Sequence, residues 1–411
     1  MTIRKMLSVM LGLAMSATAM QASAQPIANQ YIVVLEEPAP GSAQRARPIT
    51  DLAQSLLALV GGGQVLTQYS HALLGFTARI SASQAAALAR QPGVKLVEQD
   101  RVMRANATQT GATWGLDRVD QRALPLNSNY VYADQAGQGV HVYIIDTGLN
   151  ATHTEFSGRV GVGRNFASNS AGLLGGLLPI NLPLLGGLLG GSTDPENTSD
   201  CNGHGTHVAG TAAGTVYGVA KKATVHAVRV LGCNGSGANS GVIAGVDWVA
   251  ANRVLPAVAN MSLGGAASEA LDVAVNNAIA QGVSFVVAAG NDNANACNGS
   301  PNRVPDAITV GASTKTDSRD TGYSNFGPCV DLFAPGTGIT SAWINGNSAT
   351  STISGTSMAS PHVAGAVALL LGANPGLTPE QVTDAVLGNV TLGALANVGN
   401  GSPNALLYTG N

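Results

Sequence analysis

Three short runs carry residue types that together could perform acyl transfer. They are HVYIIDTG, ending in Asp146-Thr147-Gly148, NGHGTHVAG around His204, and SGTSMASPHVAG around Ser357. A serine hydroxyl is a weak nucleophile at neutral pH. It needs a neighbouring base to take its proton and a carboxylate to orient that base. The chain order acid, imidazole, hydroxyl is one of three unrelated orders in which this constellation occurs. Asn291 in AAGNDN adds an amide that can donate to an oxyanion without bringing charge. Taken singly, each has an ordinary reading. A serine before a helix is usually an N-cap, an aspartate at a strand tip is usually an Asx-turn, and Asn291 could simply form a turn. An H-x-x-H pair could hold a metal, but a catalytic zinc would need a third ligand and a placed glutamate, and neither stands nearby. The three runs in one consistent order outweigh these readings.

The local sequence indicates how each group is presented. Pro361 cannot donate a backbone N–H and fits a first helical turn, which places Ser357 at or just before a helix N-terminus. Unpaired N–H groups and the helix dipole there favour developing negative charge, so the Ser357 N–H is a second oxyanion donor. At helical spacing only one of His204 and His207 can face Ser357 squarely. The Asn202-Gly203 turn puts His204 at the helix start and sends His207 one turn deeper. Gly203 and Gly205 remove side-chain bulk around His204. Asp146 ends an apolar strand, where its carboxylate can be partly buried and accept the imidazole N–H.

The elements that must position these groups alternate. VHVYIID, TVHAVRVL, AVANMSLG, VSFVVAAG and AITVGAS read as strands. HGTHVAGTAAG, NSGVIAGVDWVAAN, EALDVAVNNAIAQ, SMASPHVAGAVALLLGAN and TPEQVTDAVLG read as helices. This is an α/β pattern, a mostly parallel sheet with helices on both faces. Ligands bind at the carboxyl ends of such strands, where Asp146 and Asn291 fall. Residues 25–106 read as a separate β-α-β-β-α-β unit, a small ferredoxin-like α+β domain. It carries net charge +2 against −7 for residues 107–411, opposite signs that suit two docking pieces. Between them Arg104–Thr110 is polar and small and reads as a stretch without structure. Residues 171–193 interrupt the pattern with a low-complexity Leu/Gly insertion. It holds too many glycines for a stable helix and reads either as a surface or membrane-contact loop beside the cleft or, more simply, as an insertion of little consequence.

The chain has 411 residues, 45% hydrophobic and only 10% charged, with 52 glycines. That suits a tightly turned globular protein and excludes disordered and coiled-coil classes. Arg4 and Lys5, the apolar run MLSVMLGLAMSATAM and Ala22-Ser23-Ala24 read as a signal peptide over 1–24, which predicts secretion. No later stretch reads as a membrane span. Four cysteines remain after export, Cys201, Cys233, Cys297 and Cys329, and an even count in a secreted chain invites disulfides. Sequence alone permits three pairings. The local pairs Cys201–Cys233 and Cys297–Cys329 are expected, each stabilising by roughly 3–4 kcal/mol on a loop-entropy account. A four-cysteine zinc site is disfavoured because close C-x-x-C spacing is absent.

The phrases DTG, NGHGTHVAG, NMSLGG, AAGNDN and GTSMASPHVAG make the chain resemble the subtilisin family of serine proteases, nearest in pattern to the proteinase K and aqualysin group. The resemblance runs from about Trp114 to the C-terminus. It implies Asp146, His204 and Ser357 as the triad, Asn291 as the oxyanion side chain, and residues 25–106 as an inhibitory pro-segment that assists folding and is then cut off within Arg104–Thr110. It implies that Gly235-Ser236-Gly237 and Ser262-Leu263-Gly264 flank an extended polypeptide substrate, and that Ala288-Ala289-Gly290 forms one pocket wall. Small uncharged walls imply broad, apolar-leaning specificity, with no acid in these segments to suggest a trypsin-like pocket. It implies structural calcium at Asp331 with the carbonyls of Pro305 and Ala307, and at Asp117, Asp120 and Gln121. Asp194, Glu196 and Asp200 are a third candidate cluster. No catalytic metal, nucleic-acid partner or stable membrane span is expected, and a monomer is. A lipase or esterase would need its acid and histidine after the serine, whereas here His362 follows too closely. A catalytically silent binding protein is the third reading, disfavoured by the intact triad.

Overall fold

The computed structural model describes residues 26–36, 48–101, 106–167 and 194–410. The signal-peptide reading over 1–24 and the insertion at 171–193 lie outside the described residues.

The N-terminal unit comprises β1 (Pro26–Leu35), α1 (Ile49–Leu59), β2 (Gln64–Tyr69), β3 (Gly75–Arg79), α2 (Ala82–Leu88) and β4 (Val94–Arg101). Its sheet is antiparallel in the order β2-β3-β1-β4, the arrangement its element order predicts. Val33, Leu35 and Phe76 pack with Leu57 and Leu88 of the two helices in its own core. Ser81 and Gln84 form a reciprocal capping box that starts α2.

Next come β5 (Asn106–Thr110), α3 (Trp114–Val119) and β6 (Asn129–Ala133). β5 pairs antiparallel with β6 along its full length. The expectation that Arg104–Thr110 lacks structure is therefore corrected for residues 106–110. Alternation in NATQT was too short to distinguish from loop.

The main sheet is built from β7 (His141–Asp146), β8 (Arg164–Asn165), β9 (Thr224–Arg229) and β10 (Ala257–Met261). β11 (Gly265–Ala266) and β13 (Gly299–Ser300) form a separate pair, and β12 (Val283–Ala288), β14 (Ile308–Ser313) and β15 (Leu332–Pro335) continue the main sheet. β16 (Ile339–Ala342) pairs with β17 (Thr350–Ile353), while β18 (Thr391–Leu392) and β19 (Ala405–Leu406) close one edge. The nine strands run in the order β18-β19-β15-β14-β12-β10-β7-β9-β8, parallel except for the β18–β19 pair. The helices are α4 (His204–Ala213), α5 (Asn239–Asn252), α6 (Glu269–Ala280), α7 (Thr356–Ala373) and α8 (Pro379–Gly388).

Both faces of the sheet are covered, as the continuous apolar strands predict. On β7, Val142 and Ile144 enter the core that holds α4 and α7. Tyr143 and Ile145 enter the opposite core with α5 and α6. By length and composition α7 could cross a membrane, yet most of it is buried inside the fold as a core helix. The two local disulfides form, Cys201–Cys233 and Cys297–Cys329.

Candidate active site

Strand order brings the site together. β7 and β10 are neighbours in the sheet, and α4 and α7 lie in one core against them. The ends of β7 and β10 and the starts of α4 and α7 therefore meet at the carboxyl edge.

Asp146 is the last residue of β7 and is fully buried, deeper than its sequence suggested. Its Oδ1 and Oδ2 lie 2.8 and 3.0 Å from His204 Nδ1, and Oδ1 also accepts the Thr147 N–H at 2.7 Å. His204 is the first residue of α4, with a quarter of its side chain exposed. The preceding Gly203 has φ +106°, and a Cβ there would lie 2.5 Å from the Trp343 ring. A Cβ on Gly205 would lie 2.3 Å from the Gly148 carbonyl oxygen. Only glycine permits both the left-handed entry and the close approach.

Asp200 locks this turn. It accepts from the N–H groups of Asn202, Gly203 and Thr206, each at 2.9 Å, and from the hydroxyls of Thr206 and Thr147 at 2.7 and 2.9 Å. Burial works against its charge, but these hydrogen bonds win and hold its carboxyl below the usual range. Thr147 Oγ1 also accepts the Gly205 N–H at 2.8 Å. Burial likewise disfavours the His204 imidazolium. The Asp146 charge and hydrogen bond, with the Asp200 charge, outweigh that and raise its pKa.

His207 is fully buried, with Nε2 donating to the Ile339 carbonyl at 3.0 Å and Nδ1 unpartnered. Burial pushes it down to about 4, as it does His362. His207 is thus a neutral core group, packed one turn below His204 as the spacing predicts.

Ser357 is the second residue of α7, after Gly355 at the N-cap. The expectation for Pro361 is corrected: it is the sixth helical residue, because the helix already begins at Thr356. Ser357 Oγ donates to the Ser262 carbonyl at 3.1 Å, and no hydrogen bond joins it to His204 in this geometry. Catalytic bonds of this kind often tighten only when substrate arrives.

Asn291 follows β12. Its Oδ1 accepts from the Thr356 N–H at 2.8 Å and the Thr356 hydroxyl at 2.9 Å, which fixes the amide and leaves Nδ2 to donate elsewhere. A methyl group added at Gly355 would lie 3.6 Å from the Ser357 nitrogen and 3.7 Å from Asn291 Nδ2. The two donors therefore border one small space.

That space opens into a cleft of about 520 Å³ that includes Ser262, Leu263, Gly264, Ala288, Gly290, Asn291 and Ser357. Ala289 is corrected: its side chain is fully buried in a separate cluster. Its carbonyl is held at 2.9 Å by the side-chain amides of both Asn302 and Asn325. Those two asparagines also line the cleft, and sequence reasoning missed them. The Asn-rich run 291–302 was the available signal for Asn302, and Asn325 had none. Asp292 lines the cleft too, exposed at its rim, an acid the apolar reading of the walls left out. Gly235 sits in an exposed turn at φ +76°, closed by the Gly232 N–H to the Ser236 carbonyl at 2.9 Å. Residues 235–237 are exposed and do not line the cleft.

No group of three acidic, histidine or cysteine side chains placed to hold a metal occurs among the described residues. The Asp194, Glu196 and Asp200 cluster is not brought together: Asp200 is used as the turn's acceptor, Glu196 pairs with Arg164, and Asp194 Oδ1 accepts the Glu196 N–H at 2.9 Å. At the α3 cluster, both Asp117 oxygens are taken by the N–H groups of Asn127 and Ser128. Asp120 Oδ2 accepts from Val131, but Oδ1 is buried with no partner. Gln121 Nε2 donates to the Ala123 and Pro125 carbonyls at 2.7 and 2.9 Å. Asp331 Oδ2 accepts from Thr309 at 2.7 Å. Burial raises both Asp120 and Asp331 to about 6.

Residues 137–404 match the subtilase family, and residues 30–106 match the peptidase inhibitor I9 family. The chain belongs to the subtilase family. This subtilase is 53% identical to an extracellular serine proteinase of Thermus sp. (strain Rt41A), over 87% of the chain and 81% of that relative. It is 47% identical to alkaline serine exoprotease A of Vibrio alginolyticus, over 93% and 68% respectively. The crystal structure of a cold adapted subtilisin-like serine proteinase superposes with a TM-score of 0.65 at 51% identity, covering 73% of this chain and 99% of that one. The subtilase is accordingly a serine-type peptidase with an I9 segment ahead of it, and the esterase and silent-protein readings are set aside.

Proposed function

We propose that this subtilase is a secreted serine endopeptidase in which Ser357 attacks the scissile carbonyl. His204 takes the hydroxyl proton and returns it to the leaving amine. Asp146 holds the imidazole with its N–H on Nδ1, so that Nε2 is the base. The Ser357 N–H and Asn291 Nδ2 stabilise the oxyanion, and water then hydrolyses the acyl-enzyme. The carrying observation is the paired 2.8 and 3.0 Å contact of a fully buried carboxylate with a quarter-exposed imidazole at the same sheet edge as Ser357. To react, Ser357 Oγ leaves the Ser262 carbonyl and turns towards Nε2. The extracellular relative supports secretion. Hydrolysis of casein, with no turnover of long-chain esters, is the test; the opposite pattern overturns the reading.

Residues 262–264 offer main-chain groups to an added substrate strand, whose bonds form whatever its sequence. Residues 235–237 are assigned to its other side. Ala288, Gly290 and Gly264 leave room for apolar side chains without demanding one. The I9 segment serves as an intramolecular inhibitor until cleavage near the junction of the two units, and the mature enzyme acts as a monomer.

Replacing Asn291 by alanine is expected to lower kcat by about 10²–10³ with little change in KM, a magnitude measured for this donor in a subtilisin and carried over from it. Steady-state kinetics on a peptide amide check it.

We infer structural calcium at two places. Asp120, with its orphaned buried oxygen, and Asp117 and Gln121 would hold one ion with backbone carbonyls. Asp331 with the Pro305 and Ala307 carbonyls would hold the other. Bound calcium would neutralise buried carboxylates and stabilise the fold. Chelation is expected to shorten the thermal-inactivation half-life while initial kcat on a fresh sample stays unchanged.

A further inference from the structure

Pro361 has no N–H to give the carbonyl four residues back, and that carbonyl belongs to Ser357. The nucleophile's carbonyl therefore lacks its helical donor. The Ser262 hydroxyl donates to it at 2.8 Å. Ser262 Oγ accepts in turn from Asn260 Nδ2 at 2.9 Å, and Asn260 Oδ1 accepts from the Ser360 hydroxyl at 2.6 Å. Asn260 and Ser360 are fully buried and Ser262 is 3% exposed. The bonds run one way, hydroxyl to amide to hydroxyl to carbonyl, so each polarises the next. Asn260 lies on β10, held in register by β7 and β12 on either side.

The nucleophile is thus bracketed. On its N-terminal side the Thr356 N–H is held by Asn291, and on its C-terminal side its own carbonyl is held by Ser262. We propose that Ser360, Asn260 and the Ser262 side chain are positioning residues that tie the Ser357 backbone, released from the helix by Pro361, to the centre of the sheet. They fix the Ser357 N–H as an oxyanion donor and the point about which its hydroxyl turns to His204. This rests on Ser357 being the nucleophile. The Ser262 main chain, which faces substrate, is untouched by changes to its side chain.

Proline 361 itself supplies the decisive comparison. Ser262→Ala leaves a buried carbonyl unsatisfied and is expected to lower kcat about tenfold. KM should stay within about twofold, because the loss is confined to the transition state. Affinity for a peptide aldehyde, which adds the serine hydroxyl across its carbonyl, should fall with kcat. Ser262→Thr, which keeps the hydroxyl, should restore both. In Pro361→Ala the returning N–H takes the Ser357 carbonyl, so adding Ser262→Ala there is expected to change kcat by less than about twofold. An equal loss from Ser262→Ala in both backgrounds, or a rise in KM at constant kcat, overturns the proposal. Should Pro361→Ala fail to mature, Ser262→Ala and Ser360→Ala decide it. A combined loss no larger than the greater single one supports a shared relay, and multiplying losses refute it. Titration with a serine-directed reagent counts competent enzyme in every sample. If that reagent does not react at Ser357 in the unaltered enzyme, the assignment of the nucleophile fails instead.

Discussion

Ser357→Ala is expected to lower kcat on a peptide amide by about 10⁶-fold, a size measured for the nucleophile of a subtilisin and carried over from that family. KM should barely move, because the substrate-facing main chain at 262–264 and the cleft walls remain. Binding and the oxyanion donors alone still accelerate the reaction by about 10³–10⁴ over water. Residual turnover in the variant should therefore be small but measurable, given enzyme free of contaminating protease. Burst kinetics on an activated ester, present in the unaltered enzyme, should vanish.

Asp146→Asn should lower kcat by about 10⁴-fold with the fold intact, the loss seen when a triad carboxylate becomes an amide and the imidazole adopts the wrong tautomer. The pH profile gives a second readout. His204 must be neutral to accept a proton, so activity falls as pH drops through its pKa. Burial alone would push that pKa down, while Asp146 and, less strongly, Asp200 raise it. The acid limb of kcat/KM should accordingly lie above the ordinary imidazole value of about 6.5. Removing the Asp146 charge leaves burial opposed mainly by Asp200, so the limb should move to lower pH. An unchanged midpoint in the variant would mean that Asp146 does not set the imidazole's proton affinity.

The sheet, its covering helices and the N-terminal unit were legible because their apolar periodicities differ. The run NSGVIAGVDWVAAN is helical over its whole length, and HVYIID is buried on both faces. The site was legible because chemistry demands particular residue types beside glycine. What escaped was set by tertiary contact. Nothing adjacent says that Ala289 turns inward, since its carbonyl is claimed by Asn302 and Asn325, 13 and 36 residues further along. Asp200 read only as a member of a candidate calcium cluster, yet it organises the turn that presents His204, through donors that appear only once the loop folds. Pro361 was placed one turn too early because an interior helical proline is ordinarily excluded. Here the freed carbonyl has the Ser262 hydroxyl as its partner.

The most direct test is to treat the mature enzyme with a fluorophosphonate and map the adduct by mass spectrometry. A single modified serine at 357, with labelling lost in Ser357→Ala and greatly slowed in His204→Ala, is the expected result. Modification elsewhere, or undiminished labelling without the imidazole, would contradict the assignment of these residues as nucleophile and base.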